Sequence, residues 1–185
     1  SAIYNYYTYL HVDGLVIKNI SGSYYSGILW RNYYGYENEF RNIFVENNQT
    51  SNGRLLYWYY PHANMDIENL SIVGNTYNQD ALYFYYGYPN SSNTYSYTFK
   101  NIVIAGNTTA NNPGINANNV AGNLDFINVT IANNTVANPT YSFRYYPYGS
   151  YTNRLNILNS IIESDGTYAI QLDNTNSTAT IKNSL

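Results

Sequence analysis

Cysteine is absent from the chain. That absence excludes disulfides, Cys-ligated zinc, iron–sulfur clusters and thiol catalysis. It leaves the compartment open. Charge is scarce as well: 10% of residues are charged, and the formal net charge is −3. The eight Lys and Arg residues are scattered, so no basic surface for nucleic acid is expected. The acidic residues are scattered too, with no run suited to a calcium loop. No apolar run approaches a bilayer span, so no membrane insertion is expected, and no signal peptide is visible. The only two imidazoles, His11 and His62, have no Ser or Cys in a recognisable catalytic setting. No metal or other cofactor is implied.

What is present is tyrosine, 25 of 185 residues, with abundant Asn, Ser and Thr. Such a composition can signal disorder. Here the apolar positions are too regular for that. "FRNIFVENN" from Phe40, "IENLSIVGN" from Ile67, "FKNIVIAGN" from Phe99 and "FINVTIANN" from Phe126 share one pattern. "ILNSIIESD" from Ile157, "IKNSL" from Ile181 and "VDGLVIKNI" from Val12 fit it with small changes. The shared position runs Gly14, Asn42, Asn69, Asn101, Asn128, Asn159, Asn183, at intervals of 28, 27, 32, 27, 31 and 24 residues.

The local period decides what the repeat is. Ile43 and Val45, Leu70 and Ile72, and Ile102 and Ile104 alternate with their neighbours, which is period two and therefore strand. β-branched residues dominate, and Gly, Pro and Asn punctuate. Helical repeats are excluded by the period, and a propeller blade needs about 40–45 residues. The expected fold is all-β: a right-handed parallel β-helix of about six to seven coils, 24–32 residues each, with three short strands per coil. Coils would stack at roughly 4.8 Å. Residues 1–185 read as one domain with both ends apparently uncapped, and end-to-end stacking of chains is the expected self-association.

The Asn column has a structural role in this picture. A sharp bend between strands needs a residue that tolerates positive φ, which Gly does freely and Asn does better than the rest. Asn42, Asn69, Asn101, Asn128, Asn159 and Asn183 are expected to form that bend and a hydrogen-bonded ladder. A second column, Thr76, Thr108 and Thr135, is interrupted by Gln49 and reads as turn-stabilising.

"LDFINVTIANNT" and "LNILNSIIESD" resemble the coils of microbial surface proteins of the pectate-lyase-like superfamily, including the repeats of polymorphic outer-membrane proteins. The resemblance implies a right-handed β-helix at the cell surface or outside the cell. It does not fix activity, because lyases, hydrolases, adhesins and inert scaffolds share this fold. The Asp and Glu clusters, the Gly-His-Gly and the Arg-Ile-Lys of its enzymes are missing. Glycoside hydrolysis needs paired carboxylates. The column Asp13, Arg41, Glu68, Lys100 alternates in charge and reads as an exposed charge ladder instead. No enzyme is expected, with polysaccharide lyase or glycoside hydrolase as the alternative.

The second strand of each coil is crowded with aromatics. Aligning "ILWRNYYGY" from Ile28, "LLYWYYPH" from Leu55, "ALYFYYGY" from Ala81, "INANNVAG" from Ile115 and "YSFRYYPYG" from Tyr141 gives two columns. One reads Trp30, Tyr57, Tyr83, Ala117, Phe143 and is expected in the core. The next reads Arg31, Trp58, Phe84, Asn118, Arg144 and is expected outside, because arginine should face water. Arg31, Trp58, Phe84 and Arg144, with Tyr60, Tyr86 and Tyr146, become the expected contacts for glycans or a partner surface. Among the Asn-x-Ser/Thr sequons, Asn48, Asn90, Asn107 and Asn176 lie in turns and are the expected N-glycosylation acceptors. Asn69 and Asn128 are expected to be inaccessible in the ladder. A surface, adhesive or filament-forming structural protein is the first functional expectation. A carbohydrate-binding or carbohydrate-processing β-helix is the second.

Overall fold

The computed structural model describes residues 2–6, 9–24, 27–31, 37–87, 95–149, 153–164, 167–173 and 177–185. The described chain is a parallel β-helix built from three parallel sheets, each coil contributing a strand to each in turn along most of the stack. An aromatic sheet of seven strands comprises Ile3–Tyr6, Ile28–Arg31, Leu56–Tyr59, Leu82–Tyr85, Ile115–Val120, Tyr141–Pro147 and Tyr168–Leu172. A bent sheet of eight holds His11–Lys18, Asn38–Glu46, Met65–Val73, Ser96–Ala105, Asn123–Ala132, Asn153–Leu158, Ser177–Lys182 and the short Ile161–Ile162. A short sheet of five two-residue strands runs from Ser21–Gly22 through Gln49–Thr50, Thr76–Tyr77 and Thr108–Thr109 to Thr135–Val136.

The bends are where the Asn column predicts them. Asn42, Asn69, Asn101, Asn128, Asn159 and Asn183 all have φ between 51° and 58°, and Gly14 takes the same place at 76°. Each bend lets one strand of the bent sheet turn a corner without leaving its ladder. The side chains are wired as a column: Asn69 Nδ2 donates to Asn42 Oδ1 at 2.9 Å, Asn101 to Asn69 at 2.9 Å, and Asn128 to Asn101 at 3.0 Å. Asn183 donates to Asn159 at 3.3 Å. Gly14 has no amide to offer, and Asp13 Oδ1 accepts from Asn42 in its stead.

A second left-handed column lies five residues on: Asn19, Asn47, Gly74, Gly106 and Asn133. Directly after it comes an inner ladder that the sequence does not advertise. Asn48, Asn75, Asn107 and Asn134 point inward, at 7% exposure or less. Asn48 Nδ2 donates to Asn75 Oδ1 at 3.0 Å, Asn75 to Asn107 at 3.1 Å, and Asn107 to Asn134 at 3.0 Å. The same amides accept from backbone N–H of the preceding coil and donate to its carbonyls, as Asn75 does with Asn48 N and Val45 O. The two ladders run with opposite polarity. Outer amides donate toward the N-terminal coil, and inner amides toward the C-terminal one.

This ladder corrects the glycosylation expectation. Asn48 and Asn107 are each 1% exposed with their amides fully engaged, so neither is open to a glycosyltransferase in the folded protein. Asn69 and Asn128, expected to be inaccessible, are instead on the exposed side of the outer bend. Asn90 and Asn176 lie outside the described residues.

The core fills the space between the sheets with one apolar column per inward position. Ile43, Leu70, Ile102 and Val129 form one. Val45, Ile72, Ile104 and Ile131 form another. Aromatic rings from facing sheets meet edge to face, as in Phe40 with Trp58 at 5.4 Å and Phe126 with Phe143 at 4.8 Å. On the outside of the bent sheet, Asp13, Arg41, Glu68 and Lys100 stand in register, as the charge ladder predicts. Lys100 pairs with Glu68 at 3.1 Å, while Arg41 turns to Glu39 at 3.7 Å. Exposed pairs of this kind contribute about 0–1 kcal/mol.

Candidate functional site

The aromatic sheet does not pair its strands as the sequence alignment expects. Trp30 sits beside Trp58, Trp58 beside Phe84, Phe84 beside Ala117, and Ala117 beside Tyr145. This column faces the core: Trp58 and Phe84 are 0% exposed. Neither can touch a ligand, so both drop out of the expected contact set. Trp30, Ala117 and Phe143 are interior as expected, but Tyr57 and Tyr83 point to the outer side of the sheet, where Arg54 lies over the Tyr83 ring and that residue is only 7% exposed. The expectation slips by one residue at Leu55 and Ala81, because both precede their strands, in line with Gly27 and Gly114. A one-residue slip exchanges the two faces of a strand.

Two columns therefore face outward. One reads Leu29, Tyr57, Tyr83, Asn116, Arg144 and Gln171. The other reads Arg31, Tyr59, Tyr85, Asn118 and Tyr146. Of the expected contacts, Arg31, Arg144 and Tyr146 stand in these columns, and Tyr60 and Tyr86 follow directly at the strand ends. Tyr59 and Tyr85, which matter as much, were hidden by the register slip.

The outer phenols are ordered. Tyr59 and Tyr85 lie 5.6 Å apart between ring centroids and 15° from parallel, and Tyr83 and Tyr85 are 5.3 Å and 18° apart. Arg31 lies over the Tyr59 ring at 4.7 Å. Tyr60 and Tyr86 have φ of 54° and 59°, a left-handed conformation that bulky residues rarely adopt. Such strain costs about 1–3 kcal/mol per residue and persists where surroundings enforce it. Here the enforcement is aromatic: Tyr60 packs on Tyr59 at 4.0 Å and on Tyr86 at 5.6 Å. Asn119 continues the column with φ of 55°, as an Asn easily does. Burial raises the pKa values of Tyr59 and Tyr85, and their hydrogen bonds with Tyr60 and Tyr86 add to it. Tyr83 is pushed up to about 12, again chiefly by burial. All three phenols stay neutral donors and acceptors in ordinary buffers.

The Tyr83 end of this array opens into a cleft of about 330 Å³, walled by Arg54, Asp80, Tyr83, Asn112, Asn116 and Tyr141, among others. Asp80 is 2% exposed. Arg54 Nε donates to it at 3.1 Å, the Tyr141 hydroxyl at 3.2 Å and Asn116 Nδ2 at 3.4 Å. Arg54 also lies 3.7 Å over the Tyr83 ring. On the far wall Arg144 donates to Asp173 at 2.6 Å. Elements from four successive coils meet here, through the aromatic-sheet strands and the turns before them. Among the described residues, no group of three or more His, Cys, Asp or Glu side chains converges as a metal site would.

Asp80 gives this cleft a pH signature. Burial raises its pKa, and Arg54 opposes that only in part. Folded Asp80 thus holds its proton more tightly than the unfolded chain does. Its contribution to stability is fully present below the ordinary carboxylate range and is lost as pH rises through its raised value. Melting temperatures of wild type and Asp80→Asn, measured across that acid range, should show the wild type losing ground to the variant with rising pH. A pH-independent difference would contradict this.

No family model, curated protein or solved structure matches the chain.

Proposed function

We propose that the protein is a non-enzymatic, adhesive β-helix that binds polysaccharide on the outer face of its aromatic sheet. The observation that supports this most is the Tyr59, Tyr83 and Tyr85 array, spaced at 5.3–5.6 Å along and across the stack. That spacing is comparable with the length of one sugar ring, so a glycan chain lying along the coil axis meets Tyr59 and Tyr85 on successive coils and then the amide of Asn118. Neutral phenols and the amides of Asn116 and Asn118 both donate and accept, which is what sugar hydroxyls require. The strained bends at Tyr60 and Tyr86 favour the same reading, because strain of this kind gathers at binding sites. The non-enzymatic part rests on the cleft having a single lining carboxylate, Asp80, already engaged by three side chains. A place at the cell surface, the kinship of these coils with pectate-lyase-like surface proteins, and stacking into filaments belong to the same proposal. Light scattering and electron microscopy test the filament part: axial fibres support it, and monodisperse monomers contradict it.

A glycan microarray tests the central part. The wild type is expected to bind neutral polysaccharides. A Tyr59→Ala/Tyr85→Ala double variant should bind at least about fivefold more weakly, at roughly 0.5–1.5 kcal/mol per ring. Absence of binding by the wild type, or full binding by the variant, would overturn the proposal.

A further inference from the structure

We propose that the cleft beside Tyr83 is a recognition subsite for one neutral sugar residue, held by its hydroxyl hydrogens on Asn112 and Asn116. The inference rests on the glycan-binding reading and adds to it the place and the chemistry of recognition.

Three features support it. The first is a pair of buried acceptors without a protein donor. Asn116 is 4% exposed, and its Nδ2 is committed to the Tyr141 hydroxyl at 2.7 Å and to Asp80. Its Oδ1 is buried and receives no hydrogen bond from the protein, and the same is true of Asn112 Oδ1. A buried acceptor without a donor costs about 1–3 kcal/mol. Both residues line one cleft, and a guest hydroxyl is the donor that can enter it.

The second feature is charge. Two guanidinium groups in a wall would ordinarily suggest an anion. Here each already has its counter-charge: Arg54 pairs with Asp80 at 3.1 Å and Arg144 with Asp173 at 2.6 Å. The two pairs cancel, so a carboxylate or sulfate entering would find no free cation in either pair and would meet Asp80 close by. A neutral polyol meets no such penalty.

The third feature is continuity with the phenol array. Asn118 Nδ2 reaches the Tyr83 hydroxyl at 3.4 Å, and Tyr83 stacks on Tyr85 at 5.3 Å. A chain lying on Tyr59 and Tyr85 runs one column away from the cleft, and a residue or branch that steps across at Tyr83 enters it. The volume, about 330 Å³, lies at the small end of ligand pockets, which suits one ring and its substituents. The wall is also fixed in advance by the Arg54, Asp80, Tyr141 and Asn116 network, which lowers the ordering cost of binding.

Saturation-transfer NMR with the methyl glycosides of glucose, galactose, mannose and N-acetylglucosamine, and with methyl glucuronoside, tests the subsite. At least one neutral glycoside is expected to receive saturation from the wild type, and methyl glucuronoside to receive less. Asn112→Ala and Asn116→Ala, each first checked for a wild-type circular dichroism spectrum, should weaken that binding by about fivefold or more, one hydrogen bond's worth. Val103→Ala, exposed on the outer side of the bent sheet and remote from both the cleft and the phenol array, should leave it unchanged. Preference for the glucuronoside, or neutral binding untouched in both folded Asn variants, overturns the subsite. Array binding by the wild type without any response to a monosaccharide overturns the subsite alone and leaves the glycan-binding face standing. Monosaccharide binding that depends on Asn112, without array binding, does the reverse.

Discussion

Replacing Trp58 with alanine should destabilise the protein by about 3–5 kcal/mol, the range for a large aromatic removed from a close-packed core. The indole is 0% exposed and fills the space between Trp30 and Phe84 in its own column. It also meets Phe40 of the facing sheet edge to face at 5.4 Å. Alanine leaves a cavity that rigid neighbours on both sides cannot close. With total stabilities of about 5–15 kcal/mol for ordinary domains, the loss would be a large share. Trp58→Phe is the informative companion. The next coil already places phenylalanine there, and the buried Trp58 Nε1 has no partner to lose. Its cost should stay below about 1.5 kcal/mol. Urea denaturation measures both, and hydrogen exchange of the central coils shows whether the damage is local, as solenoids allow. A Trp58→Ala variant as stable as wild type would mean that the side chain is outside after all.

The second large effect is expected at Asn75. Its amide accepts from Asn48 N and Asn48 Nδ2 and donates to Val45 O and Asn107 Oδ1, so one side chain links three coils. Asn75→Leu keeps the branched heavy-atom framework and removes all of these bonds. Buried polar groups left unsatisfied cost about 1–3 kcal/mol each, giving a loss on the order of 3–6 kcal/mol. Asn101→Gly provides the contrast. Asn101 serves the outer bend at φ of 56°, a conformation that glycine adopts freely and that Gly14 adopts in the first coil. Its loss should stay near 1 kcal/mol. Thermal melts of the two variants should therefore separate clearly, and equal shifts would refute the distinction between inner and outer ladders.

The difference between these asparagines marks how far the sequence can be read. The outer bend column is legible because each Asn stands inside an otherwise strict alternation, so its interruption shows. The period of the bent sheet, the coil length and the three-strand coil follow from the same regularity. The inner ladder is disguised: Asn48, Asn75, Asn107 and Asn134 stand among other turn residues, where Asn has an ordinary local explanation. Only the coil geometry turns those residues inward. The aromatic strands mislead for another reason. Tyr, Trp and Phe all count as apolar, so "LYWYY" and "LYFYY" seem to lack alternation. They alternate once the hydroxyl is considered. Trp58 and Phe84 go inside, and Tyr57, Tyr59, Tyr83 and Tyr85, whose hydroxyls need partners, go to the outer face. Taking Leu55 and Ala81 as the first strand residues conceals this pattern, because it sets Trp58 and Phe84 beside Arg31, where Tyr59 and Tyr85 belong. The cleft itself is beyond sequence reasoning. Arg54, Asp80, Asn116 and Tyr141 are brought together by stacking four coils, and no spacing between them signals it.

The central claim is that the outer face of the aromatic sheet is where glycan binds. Fluorine NMR of 3-fluorotyrosine-labelled protein, with resonances assigned by single Tyr→Phe variants, tests it directly. During titration with the neutral oligosaccharide that binds best on the array, the resonances of Tyr59, Tyr83 and Tyr85 are expected to shift together and saturate. Tyr97, buried in the core and donating to Pro61 O at 2.7 Å, should stay still. Shifts confined to other tyrosines, or no shift at saturating oligosaccharide, would contradict the account.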